Sequence, residues 1–96
     1  MEGSFSIEQQ GDCLRMSGEL DNRSATATAE TVRRLADAEP SVPFDLDLSD
    51  ITFIDSVGLR ELLRLRQRLP SLRIVAVNPR VQRLFEITGT AALLLD

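Results

Sequence analysis

The segment Asp55-Ser56-Val57-Gly58 places a hydroxyl where an apolar stretch gives way to a predicted helix. Ser is favoured at a helix start, so Ser56 is expected as the N-cap or the first helical residue. The first backbone N–H groups of a helix lack partners within it, and the helix dipole there favours negative charge. Ser56 is therefore a candidate acceptor of a phosphoryl group. From these residues alone, a helix cap followed by a turn glycine is the more common explanation.

The residue types that are missing exclude most enzyme chemistry. The chain has no His and no Lys, so neither a His-dependent catalytic triad nor a lysine Schiff base can be assembled. The missing His also removes the commonest metal ligand. Because only paired carboxylates remain, we expect a protein that is not an enzyme and that holds no metal or cofactor.

Charge and cysteine content limit the kind of partner and the cellular compartment that we expect. A net charge of −4 and a pI near 4.8 argue against direct binding to nucleic acid. Cys13 is the single cysteine, so no internal disulfide can form, and a reduced, cytoplasmic setting is expected. Residues 1–10 lack the features of a signal peptide, and no apolar run is long enough to span a bilayer. Membrane insertion is therefore not expected.

Periodic patterns predict the strands that must position Ser56. Apolar and polar residues alternate on both sides of a turn at residues 10–12, which predicts an N-terminal β-hairpin. Phe44, Leu46 and Leu48 alternate with aspartates and predict a third strand. Residues 72–77 predict a fourth strand that is well buried. The apolar residues 93–95 could add a short last strand.

Capping signals predict three helices between and after these strands. They start at Asp21 or Asn22, at about Ser56, and at Asn78-Pro79. The second helix is expected to end near Leu69. The third helix is expected to end at Gly89. The order ββαβαβα predicts a single α/β domain over residues 1–96. We expect a mixed β-sheet with helices packed against it, in which an N-terminal β-hairpin precedes alternating strands and helices.

Four segments share a wider pattern: residues 18–21 (GELD), 46–49 (LDLS), 53–59 (FIDSVGL) and 78–89 (NPRVQRLFEITG). In their order and spacing they resemble STAS domains, and most of all the bacterial anti-sigma factor antagonists. The resemblance implies that Ser56, which follows Asp in the third segment, is the phosphoacceptor. It also implies a partner, an anti-sigma factor that is a serine kinase. The unmodified protein would bind this kinase and free the sigma factor, and phosphorylation would end the binding.

The chain departs from the family pattern at three places. Val57 stands where Ser or Thr is usual, which leaves Ser56 as the hydroxyl of the loop. Arg60 stands where a small residue is common, so the surface beside Ser56 is bulkier and more basic. The chain ends at Asp96, whereas many relatives continue into another helix. This leaves the oligomeric state open between a monomer and a weak dimer.

Acidic residues are the first group expected to bind the partner. Asp21 and Asp47 match acidic positions near the phosphorylatable Ser of relatives, and with Asp55 they are expected to form an acidic rim. Such a rim would add to the effect of a phosphate. A helix cap at Asp21 and a solvated strand residue at Asp47 explain the same residues equally well.

A basic stripe continues from the same helix start. Arg60, Arg64 and Arg68 recur every four residues and so lie on one face of the predicted helix. A solvated helix face is the usual explanation, and a docking surface for an acidic partner is the functional one. Val57 and Gly58, with Arg60 and Arg64, complete the set of residues expected to bind the partner.

Two other function classes compete with a phosphorylation-switched antagonist. STAS subunits of membrane lipid-transport assemblies are also small, carry a similar segment around the Ser, and dock on an ATPase. Residues 78–89 favour the antagonist. A receiver-like enzyme that phosphorylates itself on Asp would need a Lys beside its acidic site, and the chain has none.

Overall fold

The computed structural model describes residues 5–38, 45–69 and 72–95. Phe44, the predicted first residue of the third strand, lies outside them. In chain order the described elements are β1 (Phe5–Gln10), β2 (Cys13–Leu20), α1 (Asn22–Ala38), β3 (Asp45–Ile54), α2 (Ser56–Arg68), β4 (Arg73–Val77), α3 (Pro79–Ile87) and α4 (Ala91–Leu94).

The strands form one mixed sheet in the order β1-β2-β3-β4. β1 and β2 pair in antiparallel fashion through a hairpin. Its turn contains Gly11 at φ 61°, a left-handed conformation that glycine adopts without a Cβ clash. β2, β3 and β4 run parallel, with a helix between each successive pair. The predicted α/β fold, with its hairpin followed by alternating strands and helices, is confirmed.

The hydrophobic core lies on one face of this sheet. Leu14 and Met16 on β2 and Leu46 and Leu48 on β3 are at most 1% exposed. The helices add side chains to the same cluster: Val32, Leu62, Leu65, Val81, Phe85 and Leu94. The opposite face carries polar groups, including an ion pair of 3.2 Å between Arg73 and Asp45. Helices covering one apolar sheet face give a two-layer domain.

The last apolar run is a helix, so the expectation of a strand at residues 93–95 is wrong. Gly89, at φ 75°, follows α3 and turns the chain back. The Thr90 carbonyl then accepts hydrogen bonds from the N–H groups of Leu93 and Leu94, both at 3.0 Å. Leu94 is 1% exposed and joins the core where α4 contacts α2 and α3. A short apolar run fits a strand and a helix equally well, and here the burial of Leu94 favours the helix.

β4 is an edge strand, and the expectation that it is well buried is wrong. Within the described ranges it pairs only with β3. Ile74 lies opposite Leu46 and packs against the core, but Val75 is 50% exposed. Among the described strands, β4 has a neighbour on one side only, and one of its faces lies on the polar side of the sheet. It therefore buries only part of its apolar surface.

Candidate functional site

Three parallel strands run toward the same edge of the sheet, and each leads directly into a helix, although β4 ends opposite Leu48, six residues before the end of β3. Asp21 follows β2, Asp55 follows β3 and Asn78 follows β4. Each side chain accepts a hydrogen bond from a backbone N–H in the first turn of the next helix. We refer to this region, defined by Asp21, Asp55 and Asn78, as the carboxyl edge. In α/β folds, binding sites commonly lie at this end of the strands.

Ser56 is the first residue of α2 and is exposed at the carboxyl edge. The N-cap is Asp55, whose Oδ1 accepts a hydrogen bond of 2.8 Å from the N–H of Gly58. The Ser56 hydroxyl makes no hydrogen bond with any residue that the structure describes. Capping therefore does not account for Ser56, because its neighbour already supplies the cap. Val57, beside it, is 36% exposed and presents an apolar side chain to solvent.

Gly58 holds the start of α2 against the end of β2. It is buried, and a Cβ at this position would overlap the carbonyl oxygen of Leu20 and lie 2.9 Å from its carbonyl carbon. The same Leu20 oxygen accepts a hydrogen bond of 3.2 Å from the N–H of Asp55. Gly58 was expected among the partner-binding residues, and the structure gives it a positioning role behind Ser56.

Asp21 is buried and joins α1 to the carboxyl edge. Its Oδ1 accepts hydrogen bonds from the backbone N–H groups of Arg23 at 2.9 Å and Ser24 at 3.2 Å. Its Oδ2 lies 2.9 Å from the Arg23 guanidinium. The hydrogen bond from the Arg23 side chain, helped by these backbone N–H groups, lowers the pKa of Asp21 to about 2. Asp21 is therefore held as a carboxylate paired with Arg23.

Asp47 lies on β3 apart from Asp21 and Asp55. It pairs with Arg15, five residues before Leu20, which lies opposite Ile54 at the end of β3, and this separation corresponds to roughly 17 Å of strand. Its Oδ1 accepts hydrogen bonds from the backbone N–H and the hydroxyl of Ser49, at 2.9 and 2.6 Å. Arg15 lies 3.7 Å from its other oxygen. These bonds, those from Ser49 above all, lower the pKa of Asp47. The structure thus brings Asp21 and Asp55 together near Ser56 and leaves Asp47 on the polar sheet face.

The basic stripe runs along α2 away from Ser56. Arg60, Arg64 and Arg68 are all exposed, as the predicted helix face requires. Arg64, which is exposed, lies 3.9 Å from the half-buried Glu61, and an ion pair this long with one exposed partner contributes little. Arg64 and Arg68 line an open groove between α2 and α1, together with Arg33 of α1. Arg33 therefore extends the basic surface, which patterns within α2 alone did not reveal.

Asn78 was predicted as a helix start, and the structure adds a second role at the site. Its Oδ1 accepts a hydrogen bond of 2.9 Å from the N–H of Val81. Its Nδ2 donates to the carbonyl of Ile51 at 2.5 Å. The start of α3 is thereby tied to β3, the strand that leads through Asp55 to Ser56. The Asn78-Pro79 pair predicted the helix cap. No local sequence pattern predicted the hydrogen bond from Asn78 to the carbonyl of Ile51 on β3.

The chemical groups at the carboxyl edge are a free hydroxyl, carboxylates and the backbone N–H groups of helix starts. Within residues 5–38, 45–69 and 72–95, no three Asp, Glu or Cys side chains gather in a group that could hold a metal ion. In the same ranges, none of the helices combines the length and the apolar character needed to cross a membrane.

Comparison with known proteins identifies the family. The STAS domain matches residues 4–94, so the chain belongs to the STAS domain family. It is similar to the anti-sigma-B factor antagonist of Listeria monocytogenes, with 29% identity over 83 residues, covering 82% of this chain and 72% of that protein. The anti-sigma-B factor antagonist of Listeria innocua gives the same values.

Solved structures agree with this assignment. An anti-sigma factor antagonist from Mycobacterium paratuberculosis superimposes with a TM-score of 0.73 and 26% identity, covering 95% of this chain and 81% of that one. The unphosphorylated form of the anti-sigma factor antagonist SpoIIAA also gives a TM-score of 0.73, with 18% identity and coverage of 97% and 87%. The second likeness concerns the fold alone.

Proposed function

We propose that this protein is an anti-sigma factor antagonist controlled by phosphorylation of Ser56. In the unphosphorylated form it binds an anti-sigma factor that is also a serine kinase, and this binding releases the sigma factor. The kinase transfers a phosphoryl group to Ser56, which ends the binding. The protein acts in the cytoplasm as a binding partner and substrate of the kinase, and performs no catalysis itself.

The observation that carries this proposal is the free Ser56 hydroxyl at the start of α2. Asp55 supplies the helix cap, so the hydroxyl is exposed and available to a kinase. The first N–H groups of α2 lie beside it and favour an anionic group. The backbone beside it is closely packed, because Gly58 lies against Leu20. An exposed hydroxyl on a fixed backbone is well suited to phosphorylation.

Charge explains how a phosphate would end the binding. A phosphoserine carries about −1.5 to −2 charges at neutral pH. It would stand next to Asp55 and near the ion pair that Asp21 forms with Arg23. A partner surface that fits closely over the unmodified Ser56 would then have to desolvate this concentrated charge. The fold need not change, since the phosphate projects from an exposed helix start.

The partner-binding surface that we propose surrounds Ser56. Asp21, Asp55 and Val57 form its part on the carboxyl edge, and Arg60 and Arg64 continue it along α2. Asp47, which pairs with Arg15 on the polar sheet face, is the outlying member of the expected set. Similarity to antagonists from Listeria and Mycobacterium supports this function over a lipid-transport subunit.

The test is phosphorylation by the anti-sigma factor kinases encoded in the same genome. The purified protein is incubated with each kinase and ATP, and the modified residue is mapped by mass spectrometry, with Ser56→Ala as the matched control. We expect one phosphate, on Ser56, in the wild type and none in the control. Phosphate on Ser49 or Thr52 with Ser56 unmodified would contradict the assignment of the site. Failure of every kinase to bind the protein would contradict the function.

A further inference from the structure

An open, apolar hollow lies between the end of β3 and the side of α3. Its volume is about 270 Å³, and we define it by Phe53, Arg80, Arg83, Leu84 and Ile87, which line it. Phe53 is 51% exposed and Ile87 71% exposed. Leu84 is half-buried and connects the floor of the hollow to the core.

Exposure of these side chains has no explanation in the fold itself. Five large apolar side chains are exposed among the described residues, and two of them, Phe53 and Ile87, meet at this hollow. Adjacent exposed apolar groups with a polar border are typical of interaction sites. Small-molecule sites are more enclosed and cover most of the ligand surface. An open hollow of this size fits apolar side chains of another protein better.

The border of the hollow has one sign of charge. Arg80 and Arg83 are both exposed, and neither forms an ion pair with a carboxylate of the described residues. No carboxylate of those residues lines the hollow. Two uncompensated arginines stand out in a chain of net charge −4. They complement carboxylates placed on either side of an apolar anchor, and Arg is enriched where protein partners meet.

The hollow lies next to Ser56 along the chain. Ile54 lines the hollow, and Asp55 and Ser56 follow it directly in the chain. We infer that the hollow anchors an acidic, amphipathic segment of the same partner that covers Ser56. This inference rests on the proposed function and adds a second contact to it, in which apolar side chains enter the hollow and flanking Asp or Glu residues pair with Arg80 and Arg83.

The experiment compares Ile87→Glu with Leu93→Glu. Both residues are exposed, at 71% and 62%, but Leu93 lies on α4 outside the hollow. Affinity for the anti-sigma factor is measured by titration calorimetry, and folding is checked by thermal melting. We expect Ile87→Glu to weaken binding by about tenfold or more, as loss of a hot-spot residue does. Leu93→Glu should bind as the wild type does.

A second variant keeps the inference testable if Ile87→Glu is poorly folded. The double change Arg80→Gln and Arg83→Gln removes the cations and leaves the apolar groups in place. It should also weaken binding and reduce the dependence of affinity on salt.

The possible failures are distinct. If the wild type binds and both hollow variants bind equally well, the inference is overturned and the proposed function stands. If the wild type binds no anti-sigma factor of its genome, both are overturned. If sedimentation velocity shows a wild-type dimer that Ile87→Glu abolishes while anti-sigma binding persists, the hollow is a contact between two copies and the inference is overturned.

Discussion

The carbonyl oxygen of Leu20 lies so close to Gly58 that no side chain fits between β2 and the start of α2. The same oxygen accepts the hydrogen bond from Asp55, so one backbone atom of β2 contacts the helix start at two points. The position of Ser56 therefore depends on a glycine two residues later.

Gly58→Ala should destabilise the fold and impair phosphorylation together. The added methyl must displace backbone atoms of Leu20, and overpacking of this kind costs about 1–3 kcal/mol. Gly89→Ala is the matched control. Gly89 has φ 75° and open space around it, so strain there should lower stability by roughly 1–2 kcal/mol without moving Ser56. Urea denaturation and initial rates of phosphorylation measure the two effects. A Gly58→Ala protein that is as stable as the wild type would show that the contact is loose.

Ser56→Asp should change binding far more than it changes the fold. An exposed helix start tolerates an acidic residue, and the helix dipole favours it. We expect an unchanged circular dichroism spectrum, a stability within about 0.5 kcal/mol of the wild type, and a clear loss of affinity for the kinase. Ser56→Ala should bind constitutively. Unfolding of Ser56→Asp, or wild-type affinity, would count against the switch.

Asp21 should make stability depend on pH in the acid range. Its pKa falls from 3.8 to about 2 on folding, so the native state favours the carboxylate. This contribution is fully present above pH 3.8 and is lost as the pH falls through about 2. Urea denaturation across this range should show the wild type converging with Asp21→Asn as the pH falls. Arg23→Gln removes the main cause of the shift, so the Asp21 pKa should return toward its ordinary value. A constant difference between wild type and Asp21→Asn would contradict the assignment.

The arginines of α2 should act on the rate of association. Because charges at the border of an interface mainly steer the encounter, Arg60→Gln, Arg64→Gln and Arg68→Gln together should slow association and weaken its salt dependence. Their stability effect should be small, because exposed charges seldom contribute more than about 1 kcal/mol. Stopped-flow binding over a salt series is the measurement. An unchanged rate and salt slope would leave the stripe as a solvated helix face. A large fall in melting temperature would indicate a buried, paired arginine.

Local patterns predicted the elements around the site well. Alternation of Leu46 and Leu48 with aspartates indicated β3, and the Asn78-Pro79 pair indicated the start of α3. The start of α2 was also predicted, although two adjacent residues, Asp55 and Ser56, can both cap a helix. Only the bond between Asp55 and Gly58 shows which of them does so.

The features that sequence patterns missed depend on contacts between distant segments. Val75 is exposed because it follows Ile74, which packs against the core, at a register shift between β3 and β4, and no pattern within residues 72–77 reveals this. The helical state of α4 follows from burial of Leu94 against other helices. Asp47 matched an acidic family position, but it lies opposite Arg15, five residues before the level of Leu20, where β3 ends and the chain leads to Ser56.

The hairpin between β1 and β2 gives the molecule a convenient remote end. Its turn at Gly11 precedes β2, whereas the carboxyl edge follows β2, so the two lie at opposite ends of an eight-residue strand. Cys13, the single thiol of the chain, is half-buried at the first position of that strand. A fluorophore attached there would sit roughly 25 Å of strand from the surface around Ser56. The native protein thus already carries a labelling position from which energy transfer to a tagged kinase can follow docking and release in real time.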